Sequence, residues 1–151
     1  MKALIQRVSQ AGVMVEGKTI AQIGPGLLVF LGVAQEDDRS SADYLAEKIL
    51  GLRIFSDLNG KMNHSLIEIG GAILLVSQFT LLGDCRKGRR PSFTGAAEPK
   101  KAEDLYEYMA WRLGQSAPVS LGRFGANMAV NLVNDGPVTI ILECPFTNVN
   151  V

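Results

Sequence analysis

Along the first third of the chain, apolar residues recur at every second position. Leu4, Gln6 and Val8 alternate with Ile5 and Arg7, and Val13 and Val15 keep the period of two beyond Ala11-Gly12. That spacing sends successive side chains to opposite faces of a strand. Glu16-Gly17-Lys18 predicts a tight turn that pairs Val13–Val15 with Thr19–Ile23 as a hairpin. Gly24-Pro25-Gly26 breaks the chain again. Leu27–Val33 then runs apolar without alternation, the pattern of a strand covered on both faces. Beyond the polar Gln35–Arg39 the period lengthens. Ser40 with Asp43 fits a capping box, and Ala42, Leu45, Ala46, Ile49 and Leu52 trace the stripe of a first helix.

The second half repeats the alternation of types. Arg53–Ser56 predicts a short strand, closed by the turn Asp57-Leu58-Asn59-Gly60, and Ala72–Val76 predicts a buried one leading into Ser77-Gln78-Phe79-Thr80-Leu81. Gly83–Gly95 has no period, holds Gly and Pro and concentrates charge, as functional loops do. A second helix starts near Pro99, carries Ala102, Leu105, Tyr106, Met109 and Leu113 on one stripe, and stops at Gly114. Strands follow near Val119–Phe124 and Met128–Val133, and Asn134-Asp135-Gly136-Pro137 turns the chain into Val138–Glu143. This order predicts an α+β fold: a mostly antiparallel, β-barrel-like sheet with two main helices in one domain, residues 1–151.

Composition limits the partners. The 151 residues hold 15 Lys+Arg against 15 Asp+Glu, so the net charge is zero. A surface coated with positive charge is excluded, and any polyanion site must be local. Cys85 and Cys144 form no metal or redox spacing and read as two reduced thiols of a cytoplasmic protein. No signal peptide is visible at the start, and the apolar runs are too short to span a bilayer, so no membrane association is expected. His64 is the only histidine. It stands among polar residues after an Asn-Gly turn, which makes a Ser-His-Asp triad or a His-based metal site a poor fit. No metal and no cofactor are expected. Cys85, beside Arg86 and Lys87, is the other conceivable nucleophile.

Three segments carry candidate chemistry. Ser77-Gln78-Phe79-Thr80, at the end of a buried strand, either satisfies a local turn or offers unused backbone N–H groups as an oxyanion pocket. Arg86-Lys87-Gly88-Arg89-Arg90-Pro91-Ser92-Phe93 packs four cations into five positions beside an aromatic ring. It is either a solvated loop balanced by Asp84 and Glu98 or a site for a nucleic-acid end. Asn134-Asp135-Gly136-Pro137-Val138-Thr139 is either a plain hairpin turn or a rigid corner with a cis Gly-Pro bond. Gly122-Arg123-Phe124-Gly125 matches the GxxG of a KH module but lies between strand-like segments, where such a loop does not belong.

Taken together, Ser77-Gln78-Phe79-Thr80-Leu81 and Asn134-Asp135-Gly136-Pro137-Val138-Thr139 resemble the two signature motifs of the D-aminoacyl-tRNA deacylase family. The likeness extends to Met1–Gly12 with Gln6-Arg7-Val8, to the segment Arg86–Phe93, and to Phe124-Gly125-Ala126. It implies an enzyme that hydrolyses the ester between a D-amino acid and the 3′-terminal adenosine of tRNA, and that also releases glycine misattached to alanine tRNA. It implies a homodimer with active sites at the subunit interface. Gly136 and Pro137 of one subunit would reach into the partner's site, hold the substrate amino group and exclude an L side chain. Ser77, Gln78, Phe79 and Thr80 would line the catalytic pocket, with the Phe79 and Thr80 N–H groups as oxyanion contacts. The RNA's own 2′-hydroxyl would help activate water. Arg86, Lys87, Arg89, Arg90 and Phe93 would contact RNA. Asn127 and the tail Pro145–Val151 depart from the family's common pattern. Two other readings remain open at this point: a non-catalytic RNA-end binding module, and a small-molecule esterase or thiol enzyme using Cys85 or His64.

Overall fold

One long strand organises the architecture. In a computed structural model, which describes residues 1–145, β1 (Lys2–Val15) runs unbroken. Its inward positions are Ala3, Ile5, Val8, Ala11, Val13 and Val15. Glu16 and Gly17 both have positive φ (51° and 76°), as a two-residue hairpin demands. The turn returns the chain as β2 (Lys18–Ile23), antiparallel to the second half of β1. The first half of β1 pairs with β3 (Gly26–Gly32), also antiparallel.

The sheet then changes sense. β6 (Ala72–Ser77) lies parallel to β3, and β7 (Val119–Leu121) lies parallel to β6. A small separate ribbon joins β4 (Phe55–Ser56) to β5 (Met62–His64). On the free edge of β1 runs β8 (Ala129–Glu143), antiparallel along both halves. Antiparallel pairings predominate, as expected, but the sheet is mixed. β2 curls around to meet β6 and β7, which nearly closes it on itself.

The two faces carry two cores. Leu27, Val29, Leu31, Ile73 and Leu75 face helices α1 (Arg39–Gly51) and α2 (Pro99–Gly114). Leu28, Leu74 and Val76 point the other way, into the curl of the sheet with Val8, Val13 and Ile23. Burial on both faces accounts for the uninterrupted apolar run of β3.

Three sequence expectations need correction. The first helix is capped by Asp38, not Ser40: its carboxylate accepts from Ser41 N at 3.1 Å, and Ser41 answers the Asp38 N–H. Asp at N-cap and Ser at N3 make the same reciprocal pattern two residues earlier. The strand after Pro118 ends at Leu121. Finally, Asn134–Pro137 does not reverse the chain. β8 continues past it because β1 is long enough to pair with β8 on both sides.

Candidate active site

β6 delivers Ser77 to the edge of the sheet, opposite Leu31. The Gln78 N–H makes one last bond to Leu31 O (2.8 Å), and Phe79–Leu82 then form a single 3-10 turn. Such a turn leaves its first N–H groups without intrahelical partners. The Gln78 side chain does not cap them; its amide donates to Thr80 Oγ1 instead. The N–H groups of Phe79 and Thr80 therefore meet no acceptor among the described residues. The turn lies hard against the end of β3. A Cβ on Gly32 would sit 2.5 Å from Leu82 Cδ2 and 3.0 Å from Gln78 O, so a side chain there would force Leu82 and the turn to shift.

Beside this turn opens a pocket of about 520 Å³. Ser77, Gln78 and Phe79 line it, whereas Thr80 stays on the turn outside the lining. The opposite walls are Ala96, Ala97, Tyr106 and the loop Phe124–Met128. Sequence reading did not assemble these walls. The one signal for them in the sequence is the glycine-flanked Gly122–Gly125, which matches the GxxG of a KH module. That loop instead joins β7 to β8, and Met128 Sδ accepts from Arg123 N at 3.4 Å. Tyr106 is the one titratable lining residue among those described. Its hydroxyl donates to Leu75 O (2.8 Å), and burial pushes its pKa up, so it stays neutral. The wall is apolar with a polar rim at Ser77, Gln78 and Asn127, the usual make-up of a small-ligand site.

The basic loop adjoins the turn. Asp84 and Ser92 exchange backbone bonds (2.7 and 3.0 Å) and close its neck. Phe93 packs edge-on against Phe79, with centroids 5.1 Å apart, and so braces the 3-10 turn. Arg86 grips the Asp84 carboxylate (2.6 Å), which holds Asp84 at about 2. Asp84 is thus ionised at neutral pH and cancels Arg86. Lys87, Arg89 and Arg90 are exposed and carry no ion pair among the described residues. Glu98 is occupied elsewhere, capping α2 through Lys100 N and Lys101 N. A polyanion docking on this loop would therefore meet three unpaired cations among the described residues. We expect log K to fall with log salt at a slope of about −2, as for three phosphates of a single strand; titrating tRNA binding against KCl measures it, and a slope twice as steep would mean a larger footprint.

The second signature segment forms an extrusion. Gln6 pairs with Thr139 and Val8 with Asn134, so Asp135–Val138 bulge out of β8 opposite the single residue Arg7. Gly136 has φ 133°, and the Gly136–Pro137 bond is cis. Arg7 holds the corner from beneath: its guanidinium, nearly buried, donates to Asp135 O (3.0 Å) and to Ile54 O (2.6 Å). Sequence reading passed over Arg7, although a charged residue at the inward phase of β1 was a legible signal.

The corner does not reach the pocket of its own chain. Gly136 and Pro137 are exposed and absent from the lining. Leu31, beside Ser77, faces Ala3, whereas the corner sits opposite Arg7. That offset is about 13 Å along β1, and β1 and β3 lie between β8 and β6. His64 is also elsewhere, with Nδ1 3.5 Å from Glu68 on the small ribbon. Cys85 is exposed in the basic loop, and Cys144 is a free thiol near the end of β8. No helix among the described residues is long and apolar enough to cross a membrane.

Residues 4–143 match the family model described as D-Tyr-tRNA(Tyr) deacylase. The chain is 59% identical to a D-aminoacyl-tRNA deacylase of Geotalea uraniireducens, covering 96% of this chain and 94% of that one. It is 56% identical to one of Symbiobacterium thermophilum, over 95% of each. A solved structure titled c-Myc DNA Unwinding Element Binding Protein superimposes with TM-score 0.91 at 42% identity, over 96% of this chain and 99% of that one. Another, of a probable eukaryotic D-amino acid tRNA deacylase, gives 0.84 at 18% identity, over 95% and 98%, and bears on the fold alone.

Proposed function

The chain belongs to the D-Tyr-tRNA(Tyr) deacylase family and is an ester hydrolase, a D-aminoacyl-tRNA deacylase; from that premise we propose how its residues divide the work. The terminal adenosine enters the pocket between Ser77–Phe79 and the Phe124–Met128 wall. The scissile ester then lies over the 3-10 turn, where the N–H groups of Phe79 and Thr80 stabilise the tetrahedral oxyanion. Their lack of any other acceptor is the observation that carries this assignment. Thr80 orients, because its hydroxyl already accepts from Gln78 and no base stands by to activate it. Lys87, Arg89 and Arg90 hold the acceptor end of the tRNA.

Gly136 and Pro137 complete the site from a second copy of the chain. The distance between the two motifs within one chain supports a homodimer with shared sites. The corner holds the substrate amino group and clashes with an L side chain, so selectivity arises by exclusion. Glycine has no side chain to exclude, and glycyl-tRNA charged on alanine tRNA is a second substrate on this reading. The attacking water is activated with help from the terminal 2′-hydroxyl. The reaction runs in the cytoplasm, within one domain that accounts for the whole chain. Asn127 stands at the pocket rim, and the tail beyond Pro145 lies outside the described residues.

Deacylation of matched D- and L-tyrosyl-tRNA tests the whole reading: the D ester is hydrolysed and the L ester survives. Equal rates on both would refute exclusion. Phe79→Pro tests the oxyanion donors. Phe79 is the first residue of the turn, where a proline's missing N–H is tolerated, and Gln78 before it lies outside the helical region (φ −146°, ψ 78°). Relative to Phe79→Ala, kcat should fall by about 10²–10³ with little change in KM. Equal kcat in the two variants would remove Phe79 N–H from the mechanism.

A further inference from the structure

The extrusion at Asp135–Val138 is held by more than Arg7. Where the chain leaves β8, Asn134 Oδ1 accepts from Val138 N at 3.0 Å, and Asn134 Nδ2 donates to Thr139 Oγ1 at 2.9 Å. Where it returns, Thr139 Oγ1 also accepts from Gln6 Nε2 at 3.2 Å. The two ends of the bulge are thus joined by side chains, and the joint is tied to β1. Asp135–Val138 have no register partner on β1, so the ladder cannot fix their shape.

We infer that Asn134 and Thr139 form a clasp that sets the shape of the Gly136–Pro137 corner, and that they are specificity-determining positioning residues of the reaction. The inference rests on the reading of that corner as the chiral filter. Arg7 anchors the carbonyl of Asp135, and Asn134 anchors the N–H of Val138. The carbonyls of Gly136 and Pro137 lie between these two fixed points. With one point released, the corner turns about the other, and its carbonyls no longer meet the amino group and the L side chain in one geometry. A filter that works by steric exclusion depends on such stiffness, because a corner that yields admits the wrong enantiomer.

The Asn134 and Thr139 side chains belong to neither buried core, although Val138, whose N–H the clasp holds, packs into the first, so the substitutions remove no core side chain. Lys87, Arg89 and Arg90, proposed to bind tRNA, make none of the clasp's hydrogen bonds. Its loss should therefore appear in selectivity and not in fold or tRNA affinity.

The test is the ratio of kcat/KM for D- over L-tyrosyl-tRNA in Asn134→Ala, Asn134→Asp, Thr139→Val, Thr139→Ser and Gly136→Ala, with thermal midpoints and tRNA affinity alongside. Asn134→Ala and Thr139→Val should lower the ratio by about tenfold, the factor that one neutral hydrogen bond is worth. The double variant should be no worse than either single, since both open the same clasp. Asn134→Asp should restore the ratio, because a carboxylate still accepts from Val138 N and takes a hydrogen bond from the Thr139 hydroxyl. Thr139→Ser should restore it too. The clasp is overturned if Asn134→Ala and Thr139→Val keep the wild-type ratio, or if Asn134→Asp behaves as Asn134→Ala does. The filter reading beneath it fails separately, if Gly136→Ala both hydrolyses the D ester and rejects the L ester as the wild type does.

Discussion

A D-aminoacyl-tRNA ending in 2′-deoxyadenosine should bind this protein and not be turned over. Among the described residues, no group lining the site can take a proton from water. Ester hydrolysis at neutral pH needs help to take a proton from water, and positioned proton acceptors are worth about 10²–10⁴ in rate. No histidine, carboxylate or lysine lines the pocket. Its one titratable lining group, Tyr106, is neutral and bound to Leu75 O. Thr80 accepts a bond from Gln78 and has no base behind it. His64 is held against Glu68 on another ribbon. Among the described residues the pocket thus offers no base, and on the proposed reading the substrate's own 2′-hydroxyl supplies that help. Single-turnover rates on ribo and 2′-deoxy substrates, with binding measured by filter retention, check this. Similar affinity with hydrolysis lost supports RNA-assisted catalysis. Unchanged hydrolysis of the deoxy substrate would put the base back on the protein.

How far the sequence disclosed this arrangement varied with the physics involved. β3 and both helix stripes were legible because burial imposes a period on neighbouring residues. Ser77–Thr80 was legible as a strand end, and its unused donors follow from the 3-10 turn. The extrusion of β8 was misread as a reversal because Asp-Gly and Gly-Pro suit any sharp change of direction. Only the length of β1, paired along its whole other edge, distinguishes a bulge from a hairpin. The pocket walls come from Ala96–Ala97, Tyr106 and Phe124–Met128, segments that local spacing cannot bring together. The basic loop was seen, but one of its four cations is spent on Asp84 two residues away. The neutral total charge thus conceals a local patch that is itself partly neutralised.

Two inactive variants should regain activity when mixed. If each site combines the turn of one subunit with the corner of its partner, a turn defect and a corner defect complement each other. Phe79→Pro removes the N–H proposed as an oxyanion donor. Gly136→Ala deforms the corner: φ 133° disfavours any residue with a Cβ, and the added atom would lie 2.8 Å from Val138 Cγ2 and 3.0 Å from Arg7 Nη2. Each parent dimer carries its defect in both sites. In a mixed dimer, one site takes the altered turn with the altered corner, and the other takes the two intact elements. Random reassortment makes half of the dimers mixed, each with one sound site, so an equimolar mixture should recover about one quarter of the unaltered activity. The subunits are exchanged by dilution and reconcentration, and D-tyrosyl-tRNA hydrolysis is followed before and after. Sites contained within single subunits predict no gain at all, because every turn and corner would keep its own defect. The offset of about 13 Å along β1, with two strands between the motifs, favours the shared arrangement. A mixture that exchanges subunits yet stays as inactive as its parents would place turn and corner in a site within one subunit and overturn the shared arrangement.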